Sequence, residues 1–352
     1  MAAGGQRVLI TGVAGQLAGQ LAARLEADDR VASVVGLDVG EPRADLRRTE
    51  FVRADLRDPL VARVIATTRA DTVVHLSLTA APSSAGGRSR MKELNVIGTM
   101  QLLAAAQKSD ELRKLVVKST TAVYGSSHAD PALFREDVTP RAAPRSGYSK
   151  DAVEVEGYAR AFGRRRRDVT LTILRFANFV GPTVDTPLTR YLSLPVVPTV
   201  LGHDPRLQLC HETDAVEVLY RATVGDHPGI YNVAGPGMLY LSQAIRLAGK
   251  PTAPVPAPLV TGLAGLLKRS GRVDFPADQL QFLSFGRVGD IDRMRRAFGY
   301  EPRFSTRAAL ADFCASRRVA PLVDRDTAAR WERELYDLWL RATQRRPLVE
   351  SP

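Results

Sequence analysis

The segment Thr11-Gly12-Val13-Ala14-Gly15-Gln16-Leu17-Ala18-Gly19 joins small residues to the start of a helical pattern, and the chemistry it suits is phosphate binding. Gly12 permits a tight turn, Gly15 lets backbone approach a pyrophosphate, and Ala18 is small enough for a helix to lie close to a strand. A helix opening at Gln16 and Leu17 offers its first N–H groups and the positive end of its dipole to an anion. A bare tight turn without a ligand is the other reading of these glycines. Asp38 ends the next apolar run, roughly 20 residues on, where a carboxylate accepts hydrogen bonds from the adenosine ribose and repels a 2′-phosphate. That favours NAD over NADP, although Arg43 lies nearby in sequence. Asp55, in Arg53-Ala54-Asp55-Leu56-Arg57, either faces the adenine amine or caps a helix.

These groups need a parallel sheet to position them. Short apolar runs at Arg7–Ile10, Val31–Leu37, Thr49–Arg53, Thr72–Leu76, Lys114–Ser119 and Val169–Leu174 read as strands. Helical patterns at Gly15–Ala27, Pro59–Thr68, Met91–Lys108 and Asp151–Arg165 separate most of them. Strands alternating with helices imply right-handed βαβ units, and unbroken apolar runs fit strands covered on both faces. The expected fold is α/β, a Rossmann-type doubly wound parallel sheet with a smaller C-terminal α+β substrate lobe. Residues 1–177 would form the NAD-binding domain, 178–323 a substrate lobe interleaved with the sheet, and 324–352 a C-terminal helix and tail. The prolines clustered at Pro182–Pro205 and Pro251–Pro258 argue there against regular helix or central strand. Between them Leu207–Cys210 and Gly229–Val233 read as strands and Thr213–Val224 as a helix.

Composition narrows the function classes. The 352 residues are 45% hydrophobic and 25% charged, ordinary for a soluble globular protein. No apolar run approaches the roughly 20 residues that span a bilayer, so no membrane partner is expected. The net charge is +11, but only seven of the 49 basic residues are lysine, and no aromatic interleaving accompanies them. Nucleic acid is therefore not an expected partner. The dense run Arg164-Arg165-Arg166-Arg167 suits a helix C-terminus. Two cysteines, Cys210 and Cys314, suit reduced thiols in a cytoplasmic protein, and because the N-terminus runs straight into a strand pattern no signal peptide is expected. The five histidines lack metal-ligand spacing. His211, before Glu212-Thr213-Asp214, suits capping and packing. No Gly-x-Ser-x-Gly turn offers a nucleophile.

With the glycine turn, Asp55-Leu56, Val74-His75-Leu76, Asn95-Val96-x-Gly98-Thr99, Ser119-Thr120-x-x-Val123-Tyr124-Gly125, Ser149-Lys150 and Leu174-Arg175-x-x-Asn178-x-x-Gly181-Pro182, the sequence resembles the extended short-chain dehydrogenase/reductases. These are the NAD-dependent epimerases and dehydratases, UDP-galactose 4-epimerase among them. The resemblance covers roughly residues 7 to 315. It implies that Gly12, Ala14, Gly15, Gln16, Leu17, Asp38, Asp55, Leu56, Leu76, Ser77 and Ser119 belong to the cofactor site. Asn95 would brace the active site. The Thr120 hydroxyl would hydrogen-bond the reacting substrate oxygen. Lys150 would hold the nicotinamide ribose and lower the pKa of a nearby phenol. Asn178 would contact a sugar nucleotide and Arg206 its phosphates.

The family pattern Tyr-x-x-x-Lys breaks here, because Ser146 stands four residues before Lys150. A serine hydroxyl is far more basic than a phenol and needs its own base. Tyr148 is two residues from Lys150, and on a helix such positions point nearly opposite ways. It would serve only if the helix began late, with Ser146-Gly147 as a lead-in; Tyr124 is the second candidate phenol. Three readings follow: a relocated tyrosine, hydride transfer with water or a substrate group as acid, or an NAD-binding protein without ordinary turnover. Sugar 4,6-dehydratases carry an acidic pair after the threonine; Thr121 and Ala122 argue against that subclass. The expected function is an NAD-dependent epimerase or dehydrogenase acting on a hydroxyl carbon, that of a nucleotide sugar, in a homodimer. The alternatives are a non-catalytic NAD-binding regulator or scaffold, and a dehydrogenase/reductase of a steroid-like or polyketide alcohol.

Overall fold

Apolar runs buried on both faces make the centre of the molecule. In a computed structural model that describes residues 5–80, 86–139, 144, 147–260, 277–316, 330, 333 and 334, they form one seven-stranded parallel sheet. Its strands are β1 (Gln6–Thr11), β2 (Val31–Asp38), β3 (Thr49–Arg53), β4 (Thr72–His75), β5 (Lys114–Thr120), β6 (Thr170–Phe176) and, last, a strand at Gly229–Val233. Their order is β3-β2-β1-β4-β5-β6 followed by Gly229–Val233. Every pairing is parallel, so the expected doubly wound sheet is present. The order reverses between β1 and β4, and ligands of such sheets bind beyond the strand C-termini at that switch point.

Helix α1 (Gln16–Glu26) buries Ala18, Leu21, Ala22 and Leu25, the helical spacing that lays one face on the sheet. Together with β1, β4 and Glu212–Val224 it closes one layer of core, containing Val8, Ile10, Leu21, Val74 and Leu219. On the other sheet face α2 (Leu60–Thr68) and two longer helices cover Leu9, Val73, Leu115 and Val117. The first of these longer helices runs from Arg88 to Gln107, with one wide i→i+5 turn at Glu93–Ile97. The second spans Gly147–Arg165 and begins earlier than its apolar pattern suggests. The arginine run after it caps a neighbour: Arg166 donates to the carbonyls of Gln107 and Ser109, where the Arg88–Gln107 helix ends.

The remaining described chain builds a smaller core around Val180, Leu188, Tyr191, Leu207, Leu209, Leu310 and Phe313. Here the proline reading needs correction. Pro187 opens a short helix, Pro187–Leu192, at a position where no N–H is needed, and Thr186 caps it. Pro198 and Pro254 lie within a two-stranded parallel ribbon of Val197–Val200 and Thr252–Val255, outside the main sheet. Leu207–Cys210 divides at Gln208 into two short strands with different partners. The buried Gln208 side chain accepts from Gly289 N–H and donates to its carbonyl. The C-terminal helix expected within 324–352 lies largely outside the described residues.

Candidate active site

The turn between β1 and α1 holds Gly12 at φ +79°, and a Cβ there would meet the Ser77 backbone at 3.0 Å. Only glycine fits both demands. Gly15 is the helix N-cap with no side-chain cap, and no acid occupies the first turn, so the α1 N-terminus keeps its N–H groups for another acceptor. Asp38 ends β2, accepting from Ala14 N–H at 3.1 Å and Gly40 N–H at 3.2 Å, which ties its carboxylate to the turn. Above these elements lies a cleft of about 480 Å³. Gly12, Ala14, Gly15, Gln16, Leu17, Asp38, Leu56, Leu76 and Ser77 all line it. A glycine cradle that a Cβ would fill, an uncapped helix N-terminus and a ribose-height carboxylate fit a dinucleotide.

Four of the residues expected at or beside the cofactor, Asp55, Asn95, Ser119 and Lys150, do not line this cleft. Asp55 does not line this cleft: Arg57 donates to its carboxylate through Nε at 3.0 Å and Nη2 at 2.7 Å, and those hydrogen bonds hold Asp55 below the usual carboxylate range. Asn95 sits in the wide helical turn, fully enclosed. Its amide clamps the Thr79 backbone, accepting from N–H and donating to C=O at 3.0 Å each, and donates to Asp151 at 3.2 Å. Asn95 thus braces the cleft wall without entering the cleft.

A second cavity of about 90 Å³ adjoins the first. The two share Ala80, Lys118, Tyr148, Phe179, Thr186 and Pro187 as lining. Ser119, Thr120, Asn178 and Arg287 line only the smaller one. Tyr148 reaches both because its helix opens at Gly147, at φ +73°. Arg88 fixes that opening: its guanidinium donates to the Gly147 carbonyl at 2.9 Å and grips the fully buried Asp151 carboxylate at 2.6 and 2.7 Å. Ser146 lies outside the described residues. The helical position that a lysine would need beside Tyr148, four residues on, is the buried Ala152.

Lys150 points elsewhere, correcting the expectation that it holds the cofactor. Its side chain is 44% exposed and its Nζ lies 3.8 Å from Glu154. The amine in the site comes instead from the sheet: Lys118 on β5 lines both cavities, and burial lowers it to about 8. Strand alternation sets Lys118 and Thr120 on one face of β5. The local sequence offers no helical or turn spacing that would have flagged Lys118. Its signal was a lysine inside an otherwise apolar central strand, Leu115-Val116-Val117-Lys118.

Tyr124 is corrected as a candidate phenol. It is 1% exposed, donates to Asn232 Oδ1 at 2.8 Å and accepts from Arg175 Nη1 at 2.8 Å. Burial pushes its hydroxyl up. It belongs to a buried chain: Ser119 Oγ donates to Glu156 at 2.6 Å, and Arg175 grips both Glu156 oxygens at 2.9 and 2.8 Å. This network locks β5, β6 and the Gly147–Arg165 helix behind Thr120. Thr120 Oγ1 accepts from Ala122 N–H at 3.2 Å. His75 is a structural tie. It is fully buried between the hydroxyls of Thr11 and Thr99, at 2.7 and 2.8 Å, and burial depresses it to about 3, so it is neutral.

Arg206 is also corrected: it lines neither cavity, and its Nη1 donates to the Ala132 carbonyl at 2.9 Å. The guanidinium in the smaller cavity is Arg287, which donates to Gly125 O at 3.1 Å and Ser126 Oγ at 3.0 Å and lies over the Phe282 ring. His211 caps the Glu212–Val224 helix, accepting from Thr213 N–H at 3.2 Å, and stacks on Phe304. Cys210 and Cys314 are free thiols. Among the described residues no cluster of His, Cys, Asp and Glu could hold a metal ion, and no helix is long and apolar enough to cross a membrane.

Known proteins share the family and the fold. Residues 8–234 match the family described as "NAD dependent epimerase/dehydratase family". An uncharacterized protein of Mycobacterium tuberculosis is 43% identical over 348 residues, covering 98% of this chain and 93% of its own. UDP-glucuronic acid decarboxylase 6 of Arabidopsis thaliana is 24% identical over 330 residues, 86% of each chain. Two solved structures share the fold. One is the UDP-glucose 4-epimerase of Thermotoga maritima with UDP-glucose (TM-score 0.68, 21% identity, 88% of this chain and 98% of that one). The other is the UDP-glucuronic acid 4-epimerase of Bacillus cereus with UDP-glucuronic acid and NAD (TM-score 0.68, 19% identity, 88% and 98%).

Proposed function

The chain belongs to the NAD dependent epimerase/dehydratase family, and from that premise we propose that it is an epimerase or dehydrogenase acting on a hydroxyl carbon of a nucleotide sugar. The observation that carries this reading is the junction of the two cavities, where Thr120, Lys118 and Tyr148 meet the end of the dinucleotide cleft. The Gly12–Leu17 turn and Asp38 would hold NAD, which when bound would supply a two-electron acceptor for the hydrogen on the reacting carbon. The chain supplies the rest. Thr120 donates a hydrogen bond to the reacting oxygen, Asn178 contacts the sugar, and Arg287 faces the anionic part of the substrate. Phe176, Phe179 and Phe282 exclude water from the smaller cavity, where such hydrogen bonds count for more.

The Arabidopsis relative and the two solved structures are proteins of UDP-linked sugars, which supports UDP-sugars as the first substrates to try. UDP-glucose and UDP-glucuronic acid, mixed with the protein and NAD, should raise the absorbance of reduced cofactor or yield a C4-epimerised sugar. Absence of NAD binding by calorimetry would overturn the reading. Exposed Ile97 and Met100 on the Arg88–Gln107 helix and Tyr158 on the Gly147–Arg165 helix support a homodimer through these helices. Free thiols at Cys210 and Cys314 support a cytoplasmic setting. The second reading, a non-catalytic NAD-binding regulator, is favoured by Ser146 and by the outward pairing of Lys150 with Glu154.

A further inference from the structure

Lys118 is out of place for a structural residue. It sits in a central strand between Val117 and Ser119, where neighbouring side chains are buried. Its Nζ makes no hydrogen bond or ion pair with any described residue, and it borders both the cofactor cleft and the smaller cavity. A lysine in such a strand destabilises the fold unless it gains something from the position. The family's lysine position, Lys150, has meanwhile left the site, and the family's tyrosine position holds Ser146.

We propose that the Lys118 amine is the catalytic residue that exchanges the proton of the reacting hydroxyl, doing from β5 what a helix-borne phenol does elsewhere in this family. This assignment rests on the reading above. In the oxidising direction the neutral Nζ takes the hydroxyl proton: the O–H bond breaks, an N–H bond forms, and the freed O–H pair becomes the second bond of a carbonyl. The hydrogen on that carbon leaves with its electron pair to bound NAD, the oxidant. In reverse the ammonium returns the proton to the carbonyl oxygen. Thr120, two residues along the same strand face, holds that oxygen.

Burial that brings an amine to about 8 suits the role, since a general base works best when its pKa lies near the working pH. The titratable and charged groups sharing its cavities are Tyr148, Arg287, Asp38, Arg43 and Asp185, with neutral His75 behind it on β4. No carboxylate among them pairs with Nζ, so nothing offsets the burial that lowers its pKa.

The test compares Lys118→Met, Tyr148→Phe and wild type in NAD binding, UDP-sugar-dependent cofactor reduction and pH-dependent acetylation of Lys118 by acetic anhydride, read by peptide mass spectrometry. Wild-type Lys118 should acetylate with a midpoint near 8, with solvent-facing Lys150 as the internal reference. Lys118→Met should bind NAD within about threefold of wild type yet lose at least ~10²-fold in cofactor reduction, the usual contribution of a positioned base. Tyr148→Phe should keep a tenth or more of the rate. An acetylation midpoint above about 10, or a Tyr148→Phe loss as large as that of Lys118→Met, overturns the assignment. Wild-type protein that fails to bind NAD refutes the functional reading instead. If neither UDP-sugar reacts, acetylation with and without saturating NAD decides: bound NAD should shield Lys118 and not Lys150, and equal acetylation of Lys118 in both overturns the assignment.

Discussion

The cofactor end of the cleft is made of backbone and one carboxylate, whereas the reacting end is made of side chains carried on separate elements. Gly12, Gly15 and the α1 N-terminus bind through main-chain geometry, which a short local segment dictates completely. Thr120 and Lys118 come from β5, Tyr148 from the helix at Gly147, Asn178 from the strand after β6, and Arg287 from a later loop. The first kind of site tolerates almost no substitution at its turn. The second can move a functional group from one element to another, because any element reaching the same cavity can deliver it. An amine on β5 opposite a helix whose own lysine faces solvent is such a displacement.

Breaking the backbone site should have the largest effect. Gly12→Val places a β-branched side chain at φ +79° with its Cβ 3.0 Å from Ser77, so calorimetry should register no NAD binding. Next comes the frame of the reacting end. Arg88→Ala removes the ion pair of the buried Asp151 carboxylate, leaving it only the Asn95 amide among the hydrogen bonds described above, and should cost about 3–5 kcal/mol in urea unfolding. A loss below about 1 kcal/mol would deny Arg88 its role in fixing the Gly147 helix start. Tyr124→Phe leaves Asn232 Oδ1 and Arg175 Nη1 short of a partner and should cost about 1–3 kcal/mol, with turnover per folded molecule largely kept.

Lys118 gives the comparison a pH axis. Its folded pKa is depressed from 10.5 to about 8, so below about pH 8 the amine is charged in both states and the fold carries the full desolvation penalty. Between about 8 and 10.5 only the folded amine is neutral, and the penalty fades. Lys118→Met should therefore raise the melting temperature at pH 7, with the gain shrinking as pH approaches 10.5. Smallest of all is Lys150→Ala, which removes an exposed pair worth about 0–1 kcal/mol and should leave NAD affinity within about twofold. A large loss of affinity there would return Lys150 to the site.

Much of the first region was legible in the sequence because its physics is local. Continuous apolar runs marked the parallel strands, and the glycine spacing with Asp38 marked the cleft. Residues held by distant partners were harder to read. Asp55 has the position of an adenine contact, but Arg57, two residues away, takes its carboxylate. Arg206 has the composition of a phosphate ligand, but Ala132 takes its guanidinium while Arg287 reaches the cavity. Tyr124 and Lys150 satisfy motif spacing, yet a buried network claims one and solvent the other. Proline statistics misjudged the Pro187 helix because a first-turn proline gives up a hydrogen bond the helix never makes.

The most direct measurement is a crystal structure of the wild-type protein with NAD bound. The pyrophosphate should lie on the Gly12–Leu17 turn, the adenosine ribose on Asp38, and the nicotinamide ring at the junction of the two cavities beside Lys118, Thr120 and Tyr148. Lys150 should remain beside Glu154, beyond the roughly 3.2 Å reach of a hydrogen bond to the nicotinamide ribose. A Lys150 Nζ bonded to that ribose, with Lys118 remote from the nicotinamide, would contradict this arrangement.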